Sequence, residues 1–260
     1  MGNELTRITR TEIEKQWRAM NAALERLGVA EARKPSIETR VGARLLFSLD
    51  LTASREWCLR EARRATAAMF DAVISLGPVA VKLAYFRGTE CKAGRWRRDA
   101  DSVCRSLLSL SCKTGHTQIG RILRMADNEA GPLSVVLIGD ACEEDGDELA
   151  AIADRLGRKG VRVYVFHECG RGGEWAAREI FEAIASASGG VYCPFGAGSA
   201  QALRELLSAV AAFGAAGAEG ITRIGKPVTV EARQLHARLL LPAPAGARGA
   251  KDGGQPGRGL

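Results

Sequence analysis

A chain of 260 residues holds one large domain with extensions or two small ones. With 46% hydrophobic and 26% charged residues, it is an ordinary globular chain that forms a core without disulfides or structural metal. The formal charge of +7 comes from basic residues spread along the chain, which reads as a solvated surface rather than a nucleic-acid footprint.

The first segment, MGNELTRITRTEIEKQW, is too polar for a signal peptide, and no apolar run approaches the roughly 20 residues that span a bilayer. Gly2 and Thr6 match the short myristoylation pattern, which is set aside as a chance match. Residues 3–33 read as one amphipathic helix, with Leu5, Ile8, Ile13, Trp17, Met20, Leu24 and Leu27 along its apolar stripe. Pro35, in KPSIET, ends it, so 1–40 form a helix and linker.

From 43 to 213 short apolar runs alternate with helical periods. ARLLFSLD reads as a strand, and the following SREWCLREARRATAAMFDAVISL as a helix with Ser54 as N-cap. PVAVKLAYF is a second strand, and ECKAGRWRR a short edge strand of a hairpin. DADSVCRSLLSL and a segment beginning at Thr117 read as helices. PLSVVLIGD is a strand, EDGDELAAIADRLGRKG a helix ended by Gly160, VRVYVFHE a strand, GEWAAREIFEAIASASGG a helix, VYCPF a strand and GSAQALRELLSAVAAFG the last helix. Such alternation predicts an α/β fold: a Rossmann-like, doubly wound, mainly parallel six-stranded sheet with one short antiparallel edge strand and helices on both faces. Residues 41–213 form this domain and 214–241 an extension, in which 221–241 alternates enough to suggest a strand or arm. The Gly/Ala/Pro-rich tail 242–260 is expected to be disordered.

Seven cysteines without a CxxC pair argue against a disulfide framework or zinc site and suit a reducing cytoplasm. The polar residues at strand ends are more informative. The buried-looking run LLFSLDLTAS ends in alternating oxygens at Asp50, Thr52 and Ser54. A buried carboxylate is costly unless paired, hydrogen-bonded or bound to a cation. If the strand order is 3-2-1-4-5-6, the strands ending in Asp50 and Asp140 are neighbours at the switch point where such sheets bind ligands. Thr117, following Gly115, adds a hydroxyl from the intervening loop. An all-oxygen set with no imidazole or thiolate suits Mg²⁺ or Mn²⁺.

The stretches DLTAS (50–54), TGHTQIG (114–120) and LIGD (137–140) resemble the three loops of the von Willebrand factor A domain family, in its intracellular bacterial form. The resemblance covers about 41–213, including IFEAIASASGGVYCPF. It implies a metal-ion-dependent adhesion site formed by Asp50, Thr52, Ser54, Thr117 and Asp140, with Thr52 in place of the usual serine and Gly139 and Ala141 where Thr and Gly are commoner. It further implies binding rather than catalysis: a partner protein supplies an Asp or Glu to the open position of the ion. By the same resemblance the partner class includes ATPases of the AAA+ class and multi-gene stress systems, in the cytoplasm. On this reading Asp50 is a surface-loop ligand, so Asp50→Ala should abolish metal-linked stabilisation with the fold intact.

Other features have bland readings. The acidic run Glu143, Glu144, Asp145, Asp147 and Glu148 suits the N-terminus of its own helix. KAGRWRR (92–98) either contacts phosphates or protects an edge strand with charge. His116 has no nucleophile beside it, and His167 and His236 have no visible partners. The alternatives are a Mg²⁺-dependent phosphatase-like hydrolase, which needs a carboxylate where Thr52 stands, and a nucleic-acid-associated protein with this domain, for which the 40 residues before the sheet are too short. Nucleic acid is therefore not expected as a partner, and no catalytic residues are assigned.

Overall fold

The computed structural model describes residues 43–52, 56–73, 76–169, 174–196 and 199–241. The expected helix over 3–33, Ser54 and the tail 242–260 lie outside the described residues. Six strands, β1 (Ala43–Asp50), β2 (Val79–Arg87), β3 (Glu90–Ala93), β4 (Ser134–Gly139), β5 (Arg162–Cys169) and β6 (Tyr192–Gly196), form one sheet in the order β3-β2-β1-β4-β5-β6. All neighbours run parallel except β3, which pairs antiparallel with β2 across a turn at Gly88. This is the doubly wound order the alternating pattern predicts.

The central strand shows why the pattern is a run rather than an alternation. Leu45, Leu46, Phe47 and Leu49 are all buried, because helices cover both faces of a parallel sheet. Leu45, Phe47 and Leu49 enter one core with α1 (Glu56–Val73), α2 (Ala100–Leu108), α6 (Ala200–Arg223) and α7 (Val230–Leu240). Leu46 enters the other, with α3 (Ile119–Asp127), α4 (Gly146–Arg158) and α5 (Glu174–Ala187). Each fully buried Leu or Phe contributes about 1.5–3 kcal/mol. Among the described residues no helix is long and apolar enough to cross a membrane.

The edge beyond β3 carries a bulge. Ala84 pairs with Ala93, yet Val81 pairs with Arg97, so the outer chain has one extra residue between the two pairings. Gly94 sits there and donates its amide to the Leu83 carbonyl at 2.8 Å.

The structure departs from the sequence reading at the C-terminal end. The helix expected to stop near Gly214 resumes to Arg223 after a break at Ala216 (φ −143°) and Gly217 (φ +61°). The left-handed φ at Gly217 suits glycine alone among common residues. The chain folds back there, since a Cβ on Gly220 would lie 2.1 Å from the Ala212 carbonyl oxygen. Residues 230–240 form α7 instead of a strand or arm, with Ala232, Leu235 and Leu239 buried at helical spacing. Its start is tied to α6 by one carboxylate: Glu205 accepts from the amides of Val228 (3.1 Å) and Thr229 (2.9 Å) and from the Thr229 hydroxyl (2.6 Å).

Candidate metal centre

Asp50 is the last residue of β1 and is 1% exposed. Its Oδ1 accepts the Thr52 amide at 2.8 Å, an Asx turn that curls the chain past the strand end. Leu51, between them, donates to the Phe86 carbonyl and accepts from the Lys113 amide, each at 3.0 Å. The first loop is thereby stitched both to β2 and to the stretch leading to Thr117. Leu49 lies opposite Ile138, so Asp50 is level with Gly139 and Asp140 follows directly on the neighbouring strand. With strands about 4.8 Å apart, both carboxylates leave the sheet at the same switch point. The burial of Asp50 differs from the surface-loop position expected for it, because its carboxylate turns into its own loop.

The second loop is pinned from below. Arg87 donates to the Ser111 carbonyl (2.7 Å) and hydroxyl (3.0 Å), and the Gln118 amide group donates to the Gly88 carbonyl at 3.0 Å. Gly115 packs on Gly88 so tightly that a Cβ would lie 2.5 Å from the Gly88 Cα, which is the close approach that glycine permits. Thr117 is buried. Its amide donates to Glu143 Oε2 at 3.0 Å, and the Glu143 amide donates back to Thr117 Oγ1 at 3.2 Å. This two-way clasp joins the second loop to the third, three residues after Asp140. It also explains why the helix starts at Ile119 rather than Thr117: Gln118 has φ −140° and ψ 44°.

The acidic run divides its work between two helices. Asp145 caps α4 by accepting the Asp147 and Glu148 amides at 2.9 and 3.0 Å. Glu144 instead reaches across to the N-terminus of α3, accepting from Ile119 and Gly120. Glu143 and Glu144 were missed as loop-setting residues; the signal was that both precede the cap residue of their own helix. His116 is exposed, with Nδ1 3.4 Å from Glu143 Oε2.

The structure thus brings Asp50, Thr52, Thr117 and Asp140 to the carboxyl end of the sheet on three interlocked loops, while Ser54 falls outside the described residues. The donor chemistry fits a hard divalent cation: carboxylate and hydroxyl oxygens, with a lone pair left on Thr117 Oγ1 after the Glu143 bond. The nearby Cys142 does not change this, since burial pushes its thiol up to about 11 and keeps it neutral near pH 7.

The other singled-out residues find structural partners. His167, level with Gly139 on β5, places Nδ1 2.7 Å from the Tyr192 hydroxyl and stands edge-on to Phe181. His236 lies on α7, where burial lowers its pKa and Glu205 opposes the shift. Trp96 donates its Nε1–H to Glu129 at 3.1 Å beneath the Arg44 guanidinium, 4.2 Å from the ring centre.

No family model matches the chain, and a search of curated proteins finds no match. Solved structures do match. A von Willebrand factor type A protein from Catenulispora acidiphila aligns at 17% identity and a TM-score of 0.53, covering 66% of this chain and 42% of that one. The PilB minor pilin from Streptococcus sanguinis aligns at 13% identity and 0.51, covering 65% and 60%. The pilus adhesin SpaC from Lactobacillus rhamnosus GG aligns at 12% identity and 0.51, covering 65% and 29%. The alignment spans less than two thirds of each of these chains, and at such identities the likeness is one of fold. Strand order, two-sided helix layers and these alignments lead to one conclusion: this chain adopts the fold of von Willebrand factor type A domains.

Proposed function

We propose that this chain is a protein-interaction domain whose docking point is a divalent cation, Mg²⁺ or Mn²⁺, held by Asp50, Thr52, Ser54, Thr117 and Asp140. The observation that carries the reading is the convergence of Asp50 and Asp140 on adjacent strand ends, with the Thr117 hydroxyl tied to the same third loop. Two like charges so placed repel, and a bound divalent cation relieves that repulsion. When bound, the ion supplies an electrophilic position that an Asp or Glu of a partner protein fills. The chain's own residues hold that position in shape: Asp50 fixes the first loop through the Thr52 amide, and Glu143 fixes Thr117. One structural neighbour is by name an adhesin, which accords with binding. The reading assigns no catalysis, since Thr52 stands where a phosphatase of the haloacid dehalogenase type needs its acid–base carboxylate. A cytoplasmic setting and a partner such as an AAA+ ATPase or a stress-system component complete the proposal.

The test is thermal unfolding of metal-stripped protein with and without Mg²⁺ or Mn²⁺. An ion at 100 times its dissociation constant adds about 2.7 kcal/mol to the native state. Asp50→Ala is a poor control, because removing this buried acceptor orphans the Thr52 amide at a cost of about 1–3 kcal/mol. Asp140→Asn is cleaner, since Asp140 is only half-buried. A midpoint that rises with metal in the native sequence and not in Asp140→Asn supports the site; no rise with either ion overturns it.

A further inference from the structure

A second surface gathers positive charge that no carboxylate among the described residues pairs with. Arg95, Arg97 and Arg98 follow β3 on the bulged edge, and Arg105 of α2 lines a hollow together with Arg97. Among the described residues no carboxylate lies at ion-pair distance from any of the four. Asp99 attracts Arg97 and Arg105 only at longer range, because its carboxylate caps α2 by accepting the Ser102 amide at 2.7 Å. Between edge and helix lies a groove of about 170 Å³ floored by Leu83, Tyr85, Val103 and Leu110. It adjoins a more polar hollow of about 230 Å³ that shares Arg97 and adds Arg105.

The chemistry of the walls selects the occupant. The Ser106 and Ser109 hydroxyls donate to their own helix, at 3.0 Å to the Ser102 carbonyl and 2.7 Å to the Ser106 carbonyl. Ser102, on the wall of the polar hollow, is engaged too: its hydroxyl accepts from Arg105 at 3.1 Å and bonds the Asp99 carboxylate. The remaining guanidinium N–H groups are therefore the donors on offer, and they call for an acceptor-only anion. Stacked bases find no platform here: Trp96 is covered by Arg44 and bonded to Glu129, and Arg87 lies over the Tyr85 ring at 5.4 Å. The aliphatic floor instead suits one apolar side chain.

We infer that this groove docks an extended acidic peptide segment of a partner protein, with one apolar side chain over Leu83, Val103 and Leu110 and flanking carboxylates on Arg95, Arg97 and Arg105. The inference is independent of the metal centre, so its test is run in excess chelator. The probe is a fluorescent Glu/Gly peptide with a central Leu, titrated with the full chain and followed by anisotropy. Replacing its Glu by Gln, or using an Arg95→Glu/Arg97→Glu variant with an unchanged unfolding midpoint, should weaken binding at least about tenfold. Arg158→Glu, on the exposed end of α4, should leave it unchanged. Leu110→Ser should weaken the Leu peptide but not its Gly counterpart. Tighter binding of single-stranded oligothymidylate would reassign the groove to nucleic acid. Equal loss with Arg158→Glu, or no peptide binding, would overturn the inference.

Discussion

Thr117 donates its amide to the Glu143 carboxylate and accepts the Glu143 amide on its hydroxyl, so a single residue of the next loop holds it at both groups. A residue that orients a ligand without touching the ion commonly changes metal affinity 10–100-fold, so Glu143→Ala should raise the Mg²⁺ concentration for half-maximal stabilisation by about that factor. Glu143 is half-exposed, so the metal-free unfolding midpoint should move little. Equal Mg²⁺ dependence in both proteins would make the clasp irrelevant to the site. The oxygen-bearing residues proposed as ligands at 50, 52, 117 and 140 could be picked out in the sequence because hydroxyls and carboxylates follow apolar runs there in a recognisable order. Glu143 was not, because its target lies 26 positions away and only the tertiary fold brings them together.

The C-terminal elements show how local pattern and packing part company. Residues 221–241 contain both Val–Thr–Val alternation and the spacing Ala232, Leu235, Leu239; burial against the core selects the second. A short isolated helix is marginal in water, so α7 depends on its apolar face and on the Glu205 tether. Removing that tether in Glu205→Ala should cost about 1–3 kcal/mol, as two backbone amides lose their acceptor. Hydrogen exchange followed by mass spectrometry should quicken in 228–240 while β1 and β4 stay protected. Uniform quickening across the sheet would show instead that α7 is not a separable unit.

On the scale of the whole molecule, one half-buried hub ties together the opposite end of the sheet. Glu129 pairs with Arg44 of β1 at 2.8 Å and with Lys82 of β2, and accepts from Trp96 of the edge segment. Burial pushes its carboxyl up, but the bonds from Lys82 and Trp96 and the charges of Lys82 and Arg44 outweigh this and hold it below the usual range. A depressed folded-state pKa contributes stability that is complete above the unfolded value, near 4.3, and is lost as pH falls through the folded one. The denaturation midpoint should therefore drop as pH falls from about 5 to 3, and drop less in Glu129→Gln. An identical pH profile in the variant would remove Glu129 from the acid response.

By itself the sequence determined the element types of the alternating region, the two-sided burial of its central strands and the oxygen character of the candidate site. These follow from local periodicity and residue chemistry, which act over a few positions. Only the tertiary structure decided that Asp50 is buried, that Glu143 and Glu144 serve the second loop and α3, that α6 folds back at Gly217 and that Trp96 belongs to the Glu129 hub. Each of these depends on groups that local periodicity does not bring together, so only the folded chain sets which polar atom answers which.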